Sequence, residues 1–226
     1  MSFNVRMGCG HSDPFSLPKG SLGYLPKCAE VIRKYNPDVC GIQEIDRNSK
    51  RAGFVDQTRE LAKLSGMESS WVEKIKNYGV ATLYAERPFC VSKVLLKGSL
   101  HTRALMISEY PDCVIANTHF PLAEWARTNA ARIVCKTLEP YAAKKPVFLM
   151  GDINALPDSE TIRIFKENFA ILSDTSKHTY PAKNPEKTID YVMVDKSHAK
   201  DLKNVRAFVD AAPWATDHAA VIVEFE

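Results

Sequence analysis

Gly151-Asp152-Ile153-Asn154 comes directly off the apolar run of residues 146–150, and three other polar islands are placed the same way. Gln43-Glu44 follows residues 38–42, Asn117-Thr118-His119 follows residues 113–116, and Asp217-His218 precedes the last apolar run, residues 219–225. Carboxylates, amides and imidazoles therefore stand at the ends of expected core strands. If those strands share a stack of sheets, their ends converge on one rim, where a divalent cation and a phosphate can be held.

A hard cation such as Mg2+ keeps several waters and takes one or two protein carboxylates plus phosphate oxygens. Glu44 and Asp217 suit that role, with Mg2+ or Mn2+ as the ion. A lone Glu at a strand end is ordinarily a solvated loop carboxylate, so Glu44 takes its weight from the whole set of islands. Asp152 and Asn154 are two residues apart, and in extended backbone both side chains point to the same side. The carboxylate can orient or deprotonate an attacking water while the amide donates to a phosphoryl oxygen; the competing reading is a turn whose side chains bond their own backbone.

His218 is a candidate general base, because an unperturbed imidazole is largely neutral at physiological pH. It needs an acceptor on its second nitrogen. Asp190, embedded in the apolar residues 189–194, is the best candidate, since a carboxylate in such a run is costly unless paired; the alternative is a bulge or edge-strand Asp facing water. His119 can protonate a leaving oxygen or stabilise phosphoryl charge, or serve only as a polar cap. Asn4 reads equally as a contact to phosphate or metal-bound water and as surface-strand polarity. Arg103 reads equally as a phosphate clamp and as a sheet-face salt bridge.

The elements that must position these residues alternate along the chain. Helices are expected at residues 21–35, with Pro26 in the first turn, at 55–64, at 122–138 ending before Pro140, and from a cap at Asp158 or Ser159 to about Phe169. Strands are expected at 39–42, 71–75, 78–85, 89–96, 103–109, 113–118, 147–150, 189–194, 205–209 and 220–225. Crossover-length and hairpin-length connections together imply mixed sheets with helices outside, in layers.

With 226 residues, a single domain over 1–226 buries roughly 70 to 75% of its unfolded surface. Apolar residues at 45% and charged residues at 25% are an ordinary globular profile. A net charge of +3 permits an anionic substrate without announcing a nucleic-acid binder. The six cysteines form no C-x-x-C pair and several lie in apolar runs, which predicts reduced thiols. Cys9-Gly10-His11 lacks zinc-site spacing and reads as a flexible loop. No stretch approaches a membrane span, and nothing calls for an obligate protein partner, so a cytoplasmic location is expected. Met1 falls almost inside the first strand pattern, which leaves room for an upstream leader or strand beginning.

Taken in order, residues 2–6, 37–44, 78–81, 117–120, 151–154, 188–191 and 216–218 resemble the endonuclease/exonuclease/phosphatase superfamily. Any one of these segments is weak, whereas seven in the correct order are specific. The resemblance implies a DNase I-like fold, a four-layer α/β/β/α sandwich of two mixed sheets face to face with helices outside, and metal-dependent hydrolysis of phosphoesters. It implies that Glu44 binds metal with Asn4 and Asp217 nearby, that Asp152 and Asn154 position nucleophile and phosphate, and that His218 paired with Asp190 is the base. His119 would assist the phosphoryl or leaving oxygen. The family's common Gly-Asn-Ala reads Gly79-Val80-Ala81 here, and its common Ser-Arg reads Ala85-Glu86-Arg87.

The leading expectation is a phosphodiesterase or phosphatase acting by in-line water attack on a small phosphodiester, phosphorylated sugar or lipid headgroup. A DNA or RNA nuclease is the alternative, although no loop interleaves Arg with Tyr or Trp as a backbone groove would. A noncatalytic binding module is the rival from another class.

Overall fold

The computed structural model describes residues 1–10, 22–97 and 102–226. The Cys9-Gly10-His11 loop therefore ends, at His11, outside the described residues. The first half of the chain runs β1 (Ser2–Asn4), α1 (Leu25–Tyr35), β2 (Val39–Asp46), α2 (Gln57–Ser65), β3 (Glu68–Ile75) and β4 (Tyr78–Tyr84). Next come β5 (Cys90–Leu96), β6 (Arg103–Glu109), β7 (Val114–His119), α3 (Glu124–Ala142), β8 (Val147–Asp152), α4 (Glu160–Asn168) and β9 (Phe169–Ile171). The chain finishes with β10 (Asp190–Asp195), β11 (Arg206–Asp210) and β12 (Ala220–Glu224).

Two six-stranded sheets result, ordered β11-β12-β1-β2-β4-β3 and β5-β6-β7-β8-β10-β9. Each is mixed: β1 and β2 run parallel in the first and β7 and β8 in the second, while the other pairs are antiparallel. The period of two along each strand builds the layers. Val114, Ala116, Val147, Leu149, Tyr191 and Met193 turn outward onto Val134 and Leu138 of α3 and Phe165 of α4. The alternate residues Ile115, Phe148, Met150, Val192 and Val194 turn inward onto Val221 of the first sheet. On the first sheet, Phe3, Ile42, Ile45, Leu83 and Ile222 pack outward against Leu25 and Ile32 of α1 and Leu61 of α2. The arrangement is the expected α/β/β/α sandwich.

Several boundaries differ from the sequence expectation for physical reasons. β2 runs on to Asp46, with a register shift between Ile42 and Ile45 and a left-handed Glu44 at φ 55°. Ile42 and Ile45 share the outer core although three residues apart, so the bulge takes Glu44 out of the alternation and aims it at the rim. α3 does not stop before Pro140 but carries it in its last turns and ends at Ala142. Leu138, Tyr141 and Ala142 pack on the outer core of the second sheet, which offsets the backbone bond that proline forfeits. β9 follows α4 without a break, because pairing with β10 and burial of Phe169 extend a segment with no strand signal of its own. α1 starts at Leu25 with Pro26 in its first turn, and Ser159 caps α4 by accepting from Ile162 N–H.

Candidate functional site

The strand ends meet at one rim through register. His119 lies opposite Asp152 across the parallel β7–β8 pair, and Asp152 lies opposite Asp190 across β8–β10. Gly151, at φ 151°, is required there: a Cβ at that position would come within 2.0 Å of Thr118 O on β7. The first sheet contributes Asn4 from the end of β1, Glu44 from the β2 bulge, and Asp217 and His218 from the turn before β12.

Asn4 is fully buried at the centre of this cluster. Its Nδ2 donates to Asp152 Oδ2 at 3.0 Å and Glu44 Oε1 at 3.4 Å, and lies 3.5 Å from His218 Nε2. Asp190 carboxylate oxygens stand 3.0 and 3.2 Å from His218 Nδ1, which fixes the ring and leaves Nε2 facing Asp152 at 3.8 Å. Donor atoms of Asp152, Asp190 and His218 all lie within 4.8 Å of one another. Asp217 pairs with Arg6 at 3.2 Å. His119 Nε2 lies 3.6 Å from Asp152 and 3.8 Å from Glu44.

Asn154 departs from the extended geometry expected of it. It is left-handed at φ 53°, its N–H donates to Asp152 Oδ1 at 3.0 Å, and its Nδ2 donates to Phe120 O at 2.9 Å. The self-bonding turn is thus present, and it holds Asp152 while Asn154 still lines the cavity. Gln43 and Asn117, polar members of the islands, are spent between the sheets instead. Gln43 Nε2 donates to Asn117 Oδ1 at 2.7 Å, and Asn117 Nδ2 donates to Ala81 O at 2.7 Å.

A cavity of 1220 Å³ opens onto the cluster. It is lined by Glu44, Asp152, Asp217, His119 and His218, by the basic residues Lys74, Arg51 and Arg103, and by Leu122, Leu156 and Ile189. Arg103 forms no salt bridge among the described residues, and its Nε is buried without a hydrogen-bond partner there. Acid crowding sets the electrostatics. Burial, then the Asp190 charge, pushes the Asp152 carboxyl up despite His218 and Asn4, and burial likewise raises Asp217.

His218 is not the neutral imidazole expected from the sequence. Burial alone would lower it, but Asp190, Asp152 and Asp217 overcome burial and raise it to about 10. His119 goes the other way, well below the usual value, through burial and the neighbouring Lys74 and Arg103 charges. The two imidazoles at one rim are therefore pushed in opposite directions.

The carboxylate oxygens of Glu44, Asp152 and Asp217, which line one cavity, fit a hard divalent cation. The sequence matches the Endonuclease/Exonuclease/phosphatase family over residues 1–218. The chain belongs to this family. Exodeoxyribonuclease III of Haemophilus influenzae is 27% identical over 157 residues, covering 61% of this chain and 55% of that protein. The chain thus spans little more than half the length of that relative. Among solved structures, an endonuclease/exonuclease/phosphatase from Bacteroides vulgatus matches with a TM-score of 0.74 at 18% identity, covering 100% of this chain and 97% of that one. A mannosyl-6-phosphatase from Bacteroides thetaiotaomicron matches with a TM-score of 0.71 at 18% identity, covering 91% of this chain and 92% of that one. These structural likenesses show the fold. Members of the endonuclease/exonuclease/phosphatase family are phosphoester hydrolases, typically using divalent metals.

Lys74, Tyr78, Arg51 and Tyr180 are among the cavity residues that escaped sequence reasoning. Lys74 shares the inward face of β3 with Val72, a burial that its residue type does not signal. Arg51 carried no signal of its own; its bidentate pair with buried Asp46, at 2.6 and 2.7 Å, depends on the fold. The Tyr180 ring lies 4.7 Å from the His218 ring.

Proposed function

We propose that this protein is a Mg2+- or Mn2+-dependent phosphodiesterase acting by in-line attack of water. The observation that carries the reading is the Asp190–His218–Asp152 constellation, with Asn4 and Glu44 bonded into it, at the floor of the cavity. Glu44 is the metal ligand, with Asp217 beside it. A divalent cation held there supplies Lewis-acid polarisation of a phosphoryl oxygen and offsets the charge that develops in the transition state.

The residues of the chain divide the remaining work. Asp190 accepts from His218 Nδ1 and so orients Nε2 toward the nucleophile, as a carboxylate orients a catalytic imidazole. His218 Nε2, in its neutral form, takes the proton of the attacking water; a cation bound among the carboxylates would favour that neutral ring. Asp152, held by Asn4 and the Asn154 backbone, orients that water. His119 lies on the opposite side of Asp152 from Asp190, where its Nε2 can donate to the leaving oxygen. Arg103, with its unpartnered Nε, clamps the phosphate; Asn4, expected to contact phosphate, is instead fully buried and spent on Asp152, Glu44 and Arg6 N–H, so it holds those carboxylates in place.

The mild net charge of +3 and the apolar Leu122, Leu156 and Ile189 in the cavity lining favour a small phosphodiester, phosphorylated sugar or lipid headgroup. The likeness to exodeoxyribonuclease III is what supports a nuclease as the second reading. Six cysteines without a disulfide support a cytoplasmic location, and no helix among the described residues is long and apolar enough to cross a membrane. A panel of small diesters, monoesters and duplex DNA, assayed with Mg2+, Mn2+ and chelator, tests the assignment. Turnover of small diesters above the others is expected; exclusive turnover of duplex DNA with steep salt dependence would install the nuclease reading.

A further inference from the structure

Lys74 is only 4% exposed, yet it sits on the inward face of β3, where the next residue along that face, Val72, packs with Val80, Ala104 and Met106 between the sheets. A lysine in such a place is costly unless its nitrogen finds a partner. The partner comes from the other sheet: Lys74 Nζ lies 3.2 Å from His119 Nδ1. The ammonium also lies 3.8 Å from the centroid of the Tyr78 ring, a placement that favours a cation over the ring face.

Both ends of the His119 ring are thereby constrained. A lysine nitrogen presents hydrogens whether charged or neutral, so it can donate to Nδ1 in either state. At the other end, Nε2 faces two carboxylate oxygens, Asp152 at 3.6 Å and Glu44 at 3.8 Å. A bare lone pair facing those oxygens would be repelled, whereas an N–H is attracted. We propose that Lys74 is a positioning residue that fixes His119 as the Nε2–H tautomer, with the donor hydrogen turned into the cavity for the leaving oxygen. In the hydrolysis step, water forms the new P–O bond and gives its proton to His218, the bond between phosphorus and the leaving oxygen breaks, and the His119 Nε2–H stabilises that oxygen by a hydrogen bond until it takes a proton from solvent.

The role of His119 rests on the proposed hydrolase function, but its tautomer does not. Long-range nitrogen–proton correlation NMR on metal-free wild-type protein should show His119 protonated at Nε2 and accepting at Nδ1. A proton on Nδ1 would overturn the proposal. Turnover then separates positioning from structure: Lys74→Met should lose at least about tenfold more rate on an alkyl diester than on its p-nitrophenyl counterpart, whose leaving group needs no acid. Lys74→Arg, which keeps a donor, should retain the alkyl reaction better than Lys74→Met. Equal loss on both substrates with a folded protein would assign Lys74 a structural role only. Absence of metal-dependent hydrolysis by wild type would remove the functional reading while leaving the tautomer result to stand or fall alone.

Discussion

His218 Nδ1 lies 3.0 Å from Asp190 Oδ2, although His218 precedes β12 of one sheet and Asp190 opens β10 of the other. The pair spans the sandwich at its rim, and its charge is the chief support for the raised pKa of His218. Asp190→Asn should lower that pKa, because it removes the largest of the contributions that favour the imidazolium. The acidic limb of the kcat/KM profile should move to lower pH, and kcat should fall by about 10² to 10⁴ as orientation is lost. A pH profile that does not move would deny Asp190 this role.

Gly151 and Thr118 are joined by sterics rather than by a bond. Because a Cβ at Gly151 would meet Thr118 O at 2.0 Å in a left-handed-φ backbone, Gly151→Ala must push β7 and β8 apart beside His119 and Asp152. A loss of about 3 kcal/mol or more is expected, measured by urea denaturation, together with loss of activity in the fraction that remains folded.

Arg51 and Asp46 form a partly buried pair in the cavity wall. The Asp46 side chain is 0% exposed and that of Arg51 29%, so Arg51→Ala leaves a buried carboxylate with little besides Ser49 Oγ, at 2.7 Å. A cost of about 3 kcal/mol is expected. Arg51→Lys should recover only part of it, since an ammonium cannot reproduce the two parallel bonds. Equal stability of the alanine variant and wild type in thermal melts would contradict the assigned pairing.

Acid should destabilise the fold through Asp195 and Asp210. Burial opposes ionisation of both, but Ser197, Val147 N–H and His198 lower Asp195, and Lys34 and Tyr35 lower Asp210. Folded values below the unfolded value of about 3.9 mean stability that is present above that pH and is lost as pH falls through the folded values. Asp195→Asn and Asp210→Asn should therefore flatten the acid limb of stability against pH. An unchanged limb in the double variant would place the acid sensitivity elsewhere.

Strand ends were legible because apolar runs stop abruptly at polar residues, and the pairing of Asp190 with His218 follows from the cost of a carboxylate within an apolar strand. The bulge at Glu44 was not legible, since no local residue demands φ > 0 there and the outer-core burial of both Ile42 and Ile45 imposes it. Asn154 was read from extended geometry, whereas its bonds to Phe120 and Asp152 select a turn. Lys74 was hidden by residue type: lysines are ordinarily solvated, and only the opposing sheet reveals the imidazole that justifies burying one. The protonation of His218 likewise depends on three carboxylates brought from separate segments, a sum no sequence window contains.

The central claim is that Glu44, Asp152 and His218 act together on a phosphoester around a divalent cation. Initial rates on bis-p-nitrophenyl phosphate with Mg2+ or Mn2+, in wild type and in Glu44→Gln, Asp152→Asn and His218→Ala, test it most directly. Chelator should abolish wild-type turnover, and each substitution should lower kcat by about a hundredfold or more with the fold intact by circular dichroism. Wild-type rates in all three variants, or turnover indifferent to chelator, would contradict the account.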